Sequence, residues 1–187
     1  MPDAIAYKLF NLKNGRLYPL YVRTNVPVPI GVWLEAREGE RLPNGKVKAR
    51  LGQGLKFRPG WHLSDVPTAT HIGVKENGKI VCRHPYQVWC EVEYHTENNY
   101  TAQALARGMN PITHKFVRKD CDLDYIPKNG FYRYKTSPNM LGEWIIAGEM
   151  RVRRVLTEDE VKAICKEQGI IPQPSFTEYM FKNEEEV

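Results

Sequence analysis

The sequence of 187 residues predicts an α+β fold, with split, mainly antiparallel β-sheets and a few helices. Asn-Gly pairs recur between short apolar segments, among them at 14–15, 44–45 and 77–78. Asn-Gly is a strong hairpin signal because both turn positions need positive φ. The segments that connect successive strands are too short for regular βαβ crossovers, which also favours antiparallel pairing.

The first half of the chain reads as strands and turns. Proline and glycine interrupt several of these strands, and the segment 86–94 alternates apolar and polar residues as a half-buried strand does. Two strands are predicted around Asn14-Gly15, and further strands at 31–36, at 54–65 with a break at Pro59-Gly60, on both sides of the 77–78 turn, and at 86–94.

The second half combines two predicted helices with three strands. The first helix is expected over 96–108, with Thr96 as its N-cap. Strands are expected at 131–136, 142–148 and 150–156. The segment 157–169 is the clearest helix, because Thr157 and Glu160 match a capping box and Gly169 can end it.

Residues 1–169 are predicted to form a single α+β domain, and 170–187 an acidic C-terminal tail. This tail holds four Glu and one Lys, so the rest of the chain carries +8 while the whole chain carries +5. A basic body can attract nucleic acid, a nucleotide or an acidic protein. The same charge is also typical of a protein that is merely kept soluble, and both interpretations stay open.

Composition narrows the location and the chemistry. No apolar run approaches the ~20 residues that span a bilayer, so no membrane association is expected. The N-terminal residues lack the pattern of a secretory signal, and the four cysteines form no C-x-x-C pair, which predicts reduced thiols and a cytoplasmic location. The residues Cys82, His84, Cys90 and His95 do not follow a known zinc spacing, so no metal is expected.

Two charged pairs allow a functional or a purely structural interpretation. Glu91 and Glu93 lie on one face of a predicted strand, where paired carboxylates can act as acid and base or simply contact solvent. Arg151 and Arg153 share a face of another strand. They could bind phosphate groups, as RNA-directed chemistry would need, or they could be solvated.

The most informative pattern joins two distant segments, GWHLSD at 60–65 and GEWIIAG at 142–148. The first places His62 on a strand, and in the second Glu143 stands at the start of an apolar strand. A carboxylate at the mouth of a strand, opposite a histidine on a neighbouring strand, suits cleavage of a nucleotide. The histidine would bind the nucleotide, while the glutamate would accept a ribose hydroxyl and stabilise the oxocarbenium ion.

These segments resemble ADP-ribosyltransferases of the poly(ADP-ribose) polymerase type. GWHLSDVPTATHIG is similar to their G-I-Y-F-A-D segment and to the H-L-S segment of RNA 2′-phosphotransferases, which share that fold. GEWIIAGEMRVRRVL is similar to their N-E-Y-I-V-Y segment and the strand that follows. The wider pattern also resembles uncharacterised domains encoded by bacteriophages and mobile elements, which act against the host.

The resemblance implies an NAD-dependent transferase that modifies a macromolecular target, a host protein or nucleic acid, in the host cytoplasm. His62 falls at the second motif and Glu143 at the catalytic glutamate. The first motif, a His or Arg that orients the dinucleotide, has only Arg23 as a match. Ser64 and Tyr132 are weaker candidates for the wall of the NAD site.

Other interpretations remain open. The same scaffold could be a non-catalytic binding module that recognises a host protein or nucleic acid, and the missing first-motif histidine favours this alternative. Each site residue also has a structural interpretation. Trp61 is expected in the core, His62 could be a hydrogen-bonded strand-end histidine, Asp65 could cap the segment after Pro67, and Glu143 could face solvent.

Overall fold

The computed structural model describes residues 3–50, 52, 54–55, 58–108, 110, 112, 123–136 and 139–185. They form a nine-stranded sheet, a two-stranded sheet and three helices. The prediction of an α+β fold with mainly antiparallel strands is confirmed. The strands are β1 (Ala4–Lys13), β2 (Arg16–Tyr18), β3 (Trp33–Glu35), β4 (Trp61–Ser64), β5 (Val74–Glu76), β6 (Lys79–Cys82), β7 (Gln87–Tyr94), β8 (Asn98–Asn99), β9 (Gly130–Tyr134), β10 (Trp144–Ala147) and β11 (Glu149–Val155). The helices are α1 (Thr101–Ala106), α2 (Glu158–Glu167) and α3 (Phe176–Glu185).

Two of the predicted hairpins form where the Asn-Gly pairs indicated. β1 pairs with β2 across Asn14-Gly15, and β5 pairs with β6 across Asn77-Gly78. All four turn residues have positive φ, which Asn and Gly tolerate best. The third pair, at 44–45, makes a turn between single β-bridges instead of between strands.

The large sheet folds back on itself. Its strand order is β3-β11-β7-β1-β4-β10-β9-β8, with β2 beside β1. Gly148 alone joins β10 to β11, although three strands separate them in that order. A one-residue link cannot cross the width of three flat strands, since neighbouring strands lie about 4.8 Å apart. The two halves of the sheet must therefore face one another.

The main core lies between these halves. Cys90, Val92 and Tyr94 of β7 pack there with Leu63 of β4 and Ile145 of β10. β7 is buried on both faces and not half-buried as predicted, because Trp89 lies in a second cluster on the face opposite Val92 and Tyr94. Trp61 packs against the main core, as expected, and its Nε1 donates to Leu34 O of β3 at 2.8 Å.

The prediction for the first helix is wrong in its start. Asn98 and Asn99 form the short strand β8, which pairs in parallel with β9, and α1 begins only at Thr101. Tyr100, and not Thr96, is the N-cap of α1, and Asn99 Oδ1 accepts a hydrogen bond from Thr101 N. The strand pairing of the two asparagines overrides their helical pattern.

Of the two C-terminal helices, α2 was predicted and α3 was not. In α2 the Thr157–Glu160 capping box is present in both directions, and Gly169 follows the helix with φ 71°. The segment expected as a tail contains α3, and its Gln173 Nε2 donates to Ile72 O at 2.7 Å. Among the described residues, no helix is long and apolar enough to cross a membrane.

Candidate functional site

The two segments that carry the resemblance lie on adjacent strands. β4 and β10 pair antiparallel, so that His62 is opposite Ile146 and Ser64 is opposite Trp144. Because paired residues and residues two apart point to the same face of a sheet, His62 shares a face with Trp144 and Ile146. β10 also pairs with β9, which adds Tyr132 and Tyr134 to that face.

β1 and β4 separate soon after they meet. Tyr7 opposite Ser64 is their one register pair, whereas β1 pairs with β7 over eight. Lys8 bridges the gap where further pairs would lie, and its Nζ donates to the backbone oxygen of His62 at 3.0 Å. The Lys8 ammonium position also lies 5.6 Å from the Phe10 ring centroid and 5.9 Å from that of Trp61.

His62 is surrounded by aromatic and basic side chains, although it remains open to solvent. Its Nε2 lies 2.8 Å from the hydroxyl of the fully buried Tyr134. The Trp144 ring meets the His62 ring edge-on at 5.0 Å and the His71 ring at 5.6 Å. Arg58 lies over the Tyr134 ring, with Cζ 5.2 Å from the centroid. We call five of these residues, Arg58, His62, His71, Tyr134 and Trp144, the His62 cluster. Lys8 lies on the opposite face, beside the Phe10 and Trp61 rings, and reaches only the backbone oxygen of His62.

The surroundings keep His62 neutral near pH 7. Desolvation lowers its pKa well below the ordinary value, and the positive charges of Arg58 and Lys8 and the neighbouring His71 lower it further. Desolvation also lowers the pKa of His71. When Nε2 of a neutral imidazole accepts the Tyr134 hydroxyl proton, the other ring nitrogen carries the hydrogen. The ring can then donate that hydrogen to a ligand.

The His62 cluster has a positive electrostatic character. The groups that act on the His62 charge are a guanidinium, an ammonium and a second imidazole, and no carboxylate stands among them in the described part of the chain. Desolvation lowers the pKa of Lys8 to about 8, so that its ammonium form still predominates at pH 7. Positive charges acting beside a half-buried tryptophan favour an anionic ligand that carries a flat ring.

Glu143 lies in a different network. It immediately precedes β10 and lies three positions before Ile146, which is opposite His62. An odd spacing along a strand reverses the face, so Glu143 is directed away from the face that carries His62. Its backbone N–H donates to Asp65 Oδ2 at 2.8 Å, and its backbone oxygen accepts from Asp65 N at 3.1 Å. Arg133 Nη1 in turn donates to both carboxylate oxygens of Asp65, at 2.8 and 2.9 Å. The register therefore does not bring Glu143 beside His62, and Asp65 anchors Arg133 rather than capping a helix.

Of the other predicted site residues, Ser64 and Tyr132 share the face of His62 but are buried, and Arg23 lies in a loop. Ser64 is buried, and its hydroxyl accepts from Val66 N at 3.2 Å, which closes the turn after β4. Tyr132 is fully buried in the cluster beneath α1. Arg23 is exposed in the loop after β2, with φ 54°, and is not on a strand.

The charged pairs of β7 and β11 bind one another. Arg151 Nη2 contacts both carboxylate oxygens of Glu93, at 3.0 and 3.1 Å, and Arg153 and Arg154 both reach Glu91 at 3.3 Å. A bulge between Val152 and Arg154 places the consecutive arginines on the same row of carboxylates. These side chains form a cross-strand ladder of ion pairs. The arginines and glutamates are therefore engaged with one another, which argues against acid–base chemistry at Glu91 and Glu93 and against phosphate binding at Arg151 and Arg153.

A second cleft, of about 460 Å³, lies between the β6–β7 turn and the starts of α2 and α3. Its basic groups already have anionic partners, because Arg83 pairs with Glu158 and Lys162 with Glu178. This cleft is therefore less suited to an anion than the His62 cluster.

Sequence reasoning missed two residues of the His62 cluster, Arg58 and His71, and the neighbouring Lys8. All three are polar residues next to the singled-out motifs or inside an apolar strand, which is a weak signal. A lysine in the apolar alternation of β1 could have been noticed, because lysine is rarely buried without a partner.

Comparison with known protein families, with characterised proteins and with solved structures found no match to this chain.

Proposed function

We propose that this protein binds NAD at the His62 cluster and transfers ADP-ribose to a macromolecular target, a host protein or nucleic acid. The observation that supports this most is the pairing of β4 with β10 beside a gap at β1, because it sets the two resemblance segments next to a cationic, aromatic cluster. The fold would then be the split type of ADP-ribosyltransferases, with the β1–β4 gap as the division.

The described side chains match the parts of the dinucleotide. A pyrophosphate carries two negative charges, and the positive charges of Arg58 and Lys8 that act at His62 favour such a ligand there. The Trp144 edge and the neutral His62 imidazole can contact the nicotinamide and its ribose hydroxyls. The hydrogen bond from Tyr134 holds the imidazole in one orientation, and a held donor binds at a lower entropic cost.

Transfer depends on Glu143 in this proposal. A carboxylate near the anomeric carbon would accept the ribose hydroxyl and stabilise the positive charge that develops as nicotinamide leaves. Glu143 immediately precedes β10, and its backbone N–H donates to Asp65. Its carboxylate must reach around the strand end to meet a ribose held at His62, so the ligand has to span both faces.

A non-catalytic binding module is the second candidate, and one observation favours it. The register directs Glu143 away from the His62 face, which would leave a dinucleotide site without a carboxylate at the reacting carbon. Such a module would bind a nucleotide or an anionic surface of a host molecule and would release no nicotinamide.

The experiment measures NAD binding by calorimetry and nicotinamide release by chromatography, on the same preparations. We expect His62→Ala to weaken NAD binding at least tenfold, because it removes the donor and the ring contact. We expect Glu143→Gln to retain NAD binding and to lose nicotinamide release. The matched controls are His84→Ala, at the second cleft, and Glu184→Gln, exposed on α3.

The two measurements separate the candidates. NAD binding that is lost in His62→Ala, without nicotinamide release by the unchanged protein, supports the binding module and refutes the transferase. Release that persists in Glu143→Gln refutes the role of Glu143. Absence of NAD binding to the unchanged protein refutes the proposal as a whole.

A further inference from the structure

The net positive charge of this chain comes from residues 13–50. This segment contains eight of the 27 basic residues and three of the 22 acidic residues, which gives it a net charge of +5. The whole chain also carries +5, so the remaining residues contain 19 of each sign and have no net charge. A short stretch of the chain therefore accounts for the net charge of the protein.

Most of the cations in this segment have no anionic partner. Arg41 pairs with Glu38, and Lys48 pairs with Glu40. In the described part of the chain, no carboxylate forms an ion pair with the other six, and all six are exposed. We call these six residues the basic surface: Lys13, Arg16, Arg23, Arg37, Lys46 and Arg50. Their charges are available to an anionic partner.

Contacts between two loops bring four of these cations together. The N–H of Arg50 donates to Tyr21 O at 2.8 Å. A Cβ on Gly39 would lie 2.7 Å from Val22 Cγ1 and 2.7 Å from Val47 Cγ1. The loop after β2 and the loop after β3 therefore pack on each other. Each of the four cations in these loops lies within two residues of one of these contacts.

The β1–β2 hairpin supplies the other two cations. Lys13 is opposite Arg16 in its register. An extended chain advances at most about 3.6 Å per residue, so the Cα of Arg16 lies within about 18 Å of the Cα of Tyr21. A nucleic-acid duplex rises about 3.4 Å per base pair, so this distance corresponds to about five base pairs. One duplex can therefore contact the hairpin and the loops together.

We propose that the basic surface binds the phosphate backbone of a nucleic acid. Four of its six side chains are arginines, whose planar guanidinium can contact two phosphate oxygens at once. No large apolar side chain of residues 33–50 is exposed, whereas the centre of a protein–protein interface is apolar and depleted of charged residues. Binding here therefore depends on charge, which the regularly spaced phosphates supply without regard to base sequence.

This inference goes beyond NAD binding, because the basic surface shares no residue with the His62 cluster. For the transferase it also selects nucleic acid, and not a host protein, as the target, and in that respect it rests on the proposed function. Nucleic-acid binding itself does not require NAD, so the two properties are measured separately.

The test measures binding of a fluorescein-labelled DNA duplex of about 20 base pairs to the full chain by fluorescence anisotropy. Between about 50 and 200 mM salt we expect the affinity to fall about a hundredfold, which corresponds to about four phosphate contacts. A duplex of unrelated sequence should bind within about threefold of the first. Absence of binding at the lowest salt, or tighter binding of a polyglutamate peptide of equal charge, would overturn the proposal.

Two double variants locate the binding. Arg37→Gln with Arg50→Gln should weaken duplex binding at least tenfold and lower the slope of log affinity against log salt by about two, since two phosphate contacts are lost. The matched control is Lys75→Gln with Lys79→Gln, which removes two exposed cations from the β5–β6 hairpin and should change the affinity less than about threefold. Equal losses in the two variants would overturn the proposal.

The salt dependence of the unchanged protein tests the proposal even if a variant fails to fold. NAD binding without duplex binding refutes only the basic surface. Duplex binding without NAD binding refutes only the proposed function.

Discussion

Replacing Asp65 by alanine should destabilise the protein more than removal of any exposed ion pair. The Asp65 carboxylate accepts two contacts from Arg133 and one from the backbone of Glu143, and both partners in the ion pair are about 30% exposed or less. Hydrogen bonds to charged groups contribute about 1.5–3 kcal/mol, and the change also leaves a half-buried guanidinium without its anion. We therefore expect a loss of about 2–4 kcal/mol in the free energy of unfolding.

Urea unfolding followed by tryptophan fluorescence measures this loss. Asp124→Ala is the matched control, because Asp124 pairs with Arg107 at a similar distance, 3.0 Å, while it is 88% exposed. Exposed pairs contribute little, so the control should change stability by less than about 0.5 kcal/mol. If the two variants lose the same stability, the interpretation of Asp65 as an anchor for β9 and β10 is refuted.

Two further predictions concern His62 and Gly148. The folded His62 resists protonation, while an unfolded histidine binds a proton below about pH 6.5, so the free energy of unfolding should fall as pH drops from 7 to 5. In His62→Gln the urea midpoint should fall less over the same pH range. Parallel pH profiles of the two proteins would contradict this prediction. Gly148→Ala should cost about 3 kcal/mol or more, since a Cβ there would lie 1.9 Å from the backbone oxygen of Pro127. Thermal melts measure the loss. The control Gly52→Ala, where the added carbon meets nothing within 4 Å, should leave the melting temperature nearly unchanged. Equal losses in the two variants would show that the link between β10 and β11 tolerates a side chain.

The sequence predicted the local features of the fold well. The hairpins at Asn14-Gly15 and Asn77-Gly78 and the capping box of α2 form because neighbouring residues dictate them. The start of α1 was missed because β8 pairs with β9, a strand some 30 positions away, and such pairing leaves no local signal. α3 was missed because an acidic, proline-containing segment resembles a tail when its packing partners are unknown.

The candidate site shows a sharper limit. The sequence indicated that the segments around His62 and Glu143 belong together, and they lie on neighbouring strands. It could not fix their register, and a shift of one residue exchanges the two faces of a strand. The contact of Lys8 with the backbone of His62 was equally hidden, because the two residues are 54 positions apart and the separation of β1 from β4 exists only in the folded sheet.

An NMR titration measures NAD binding at the His62 cluster. The imidazole resonances of the five histidines are followed as NAD is added. We expect saturable shifts of the His62 and His71 resonances, with His84, at the second cleft, unchanged. Unchanged His62 and His71 resonances at saturating NAD, or shifts confined to His84, would contradict it.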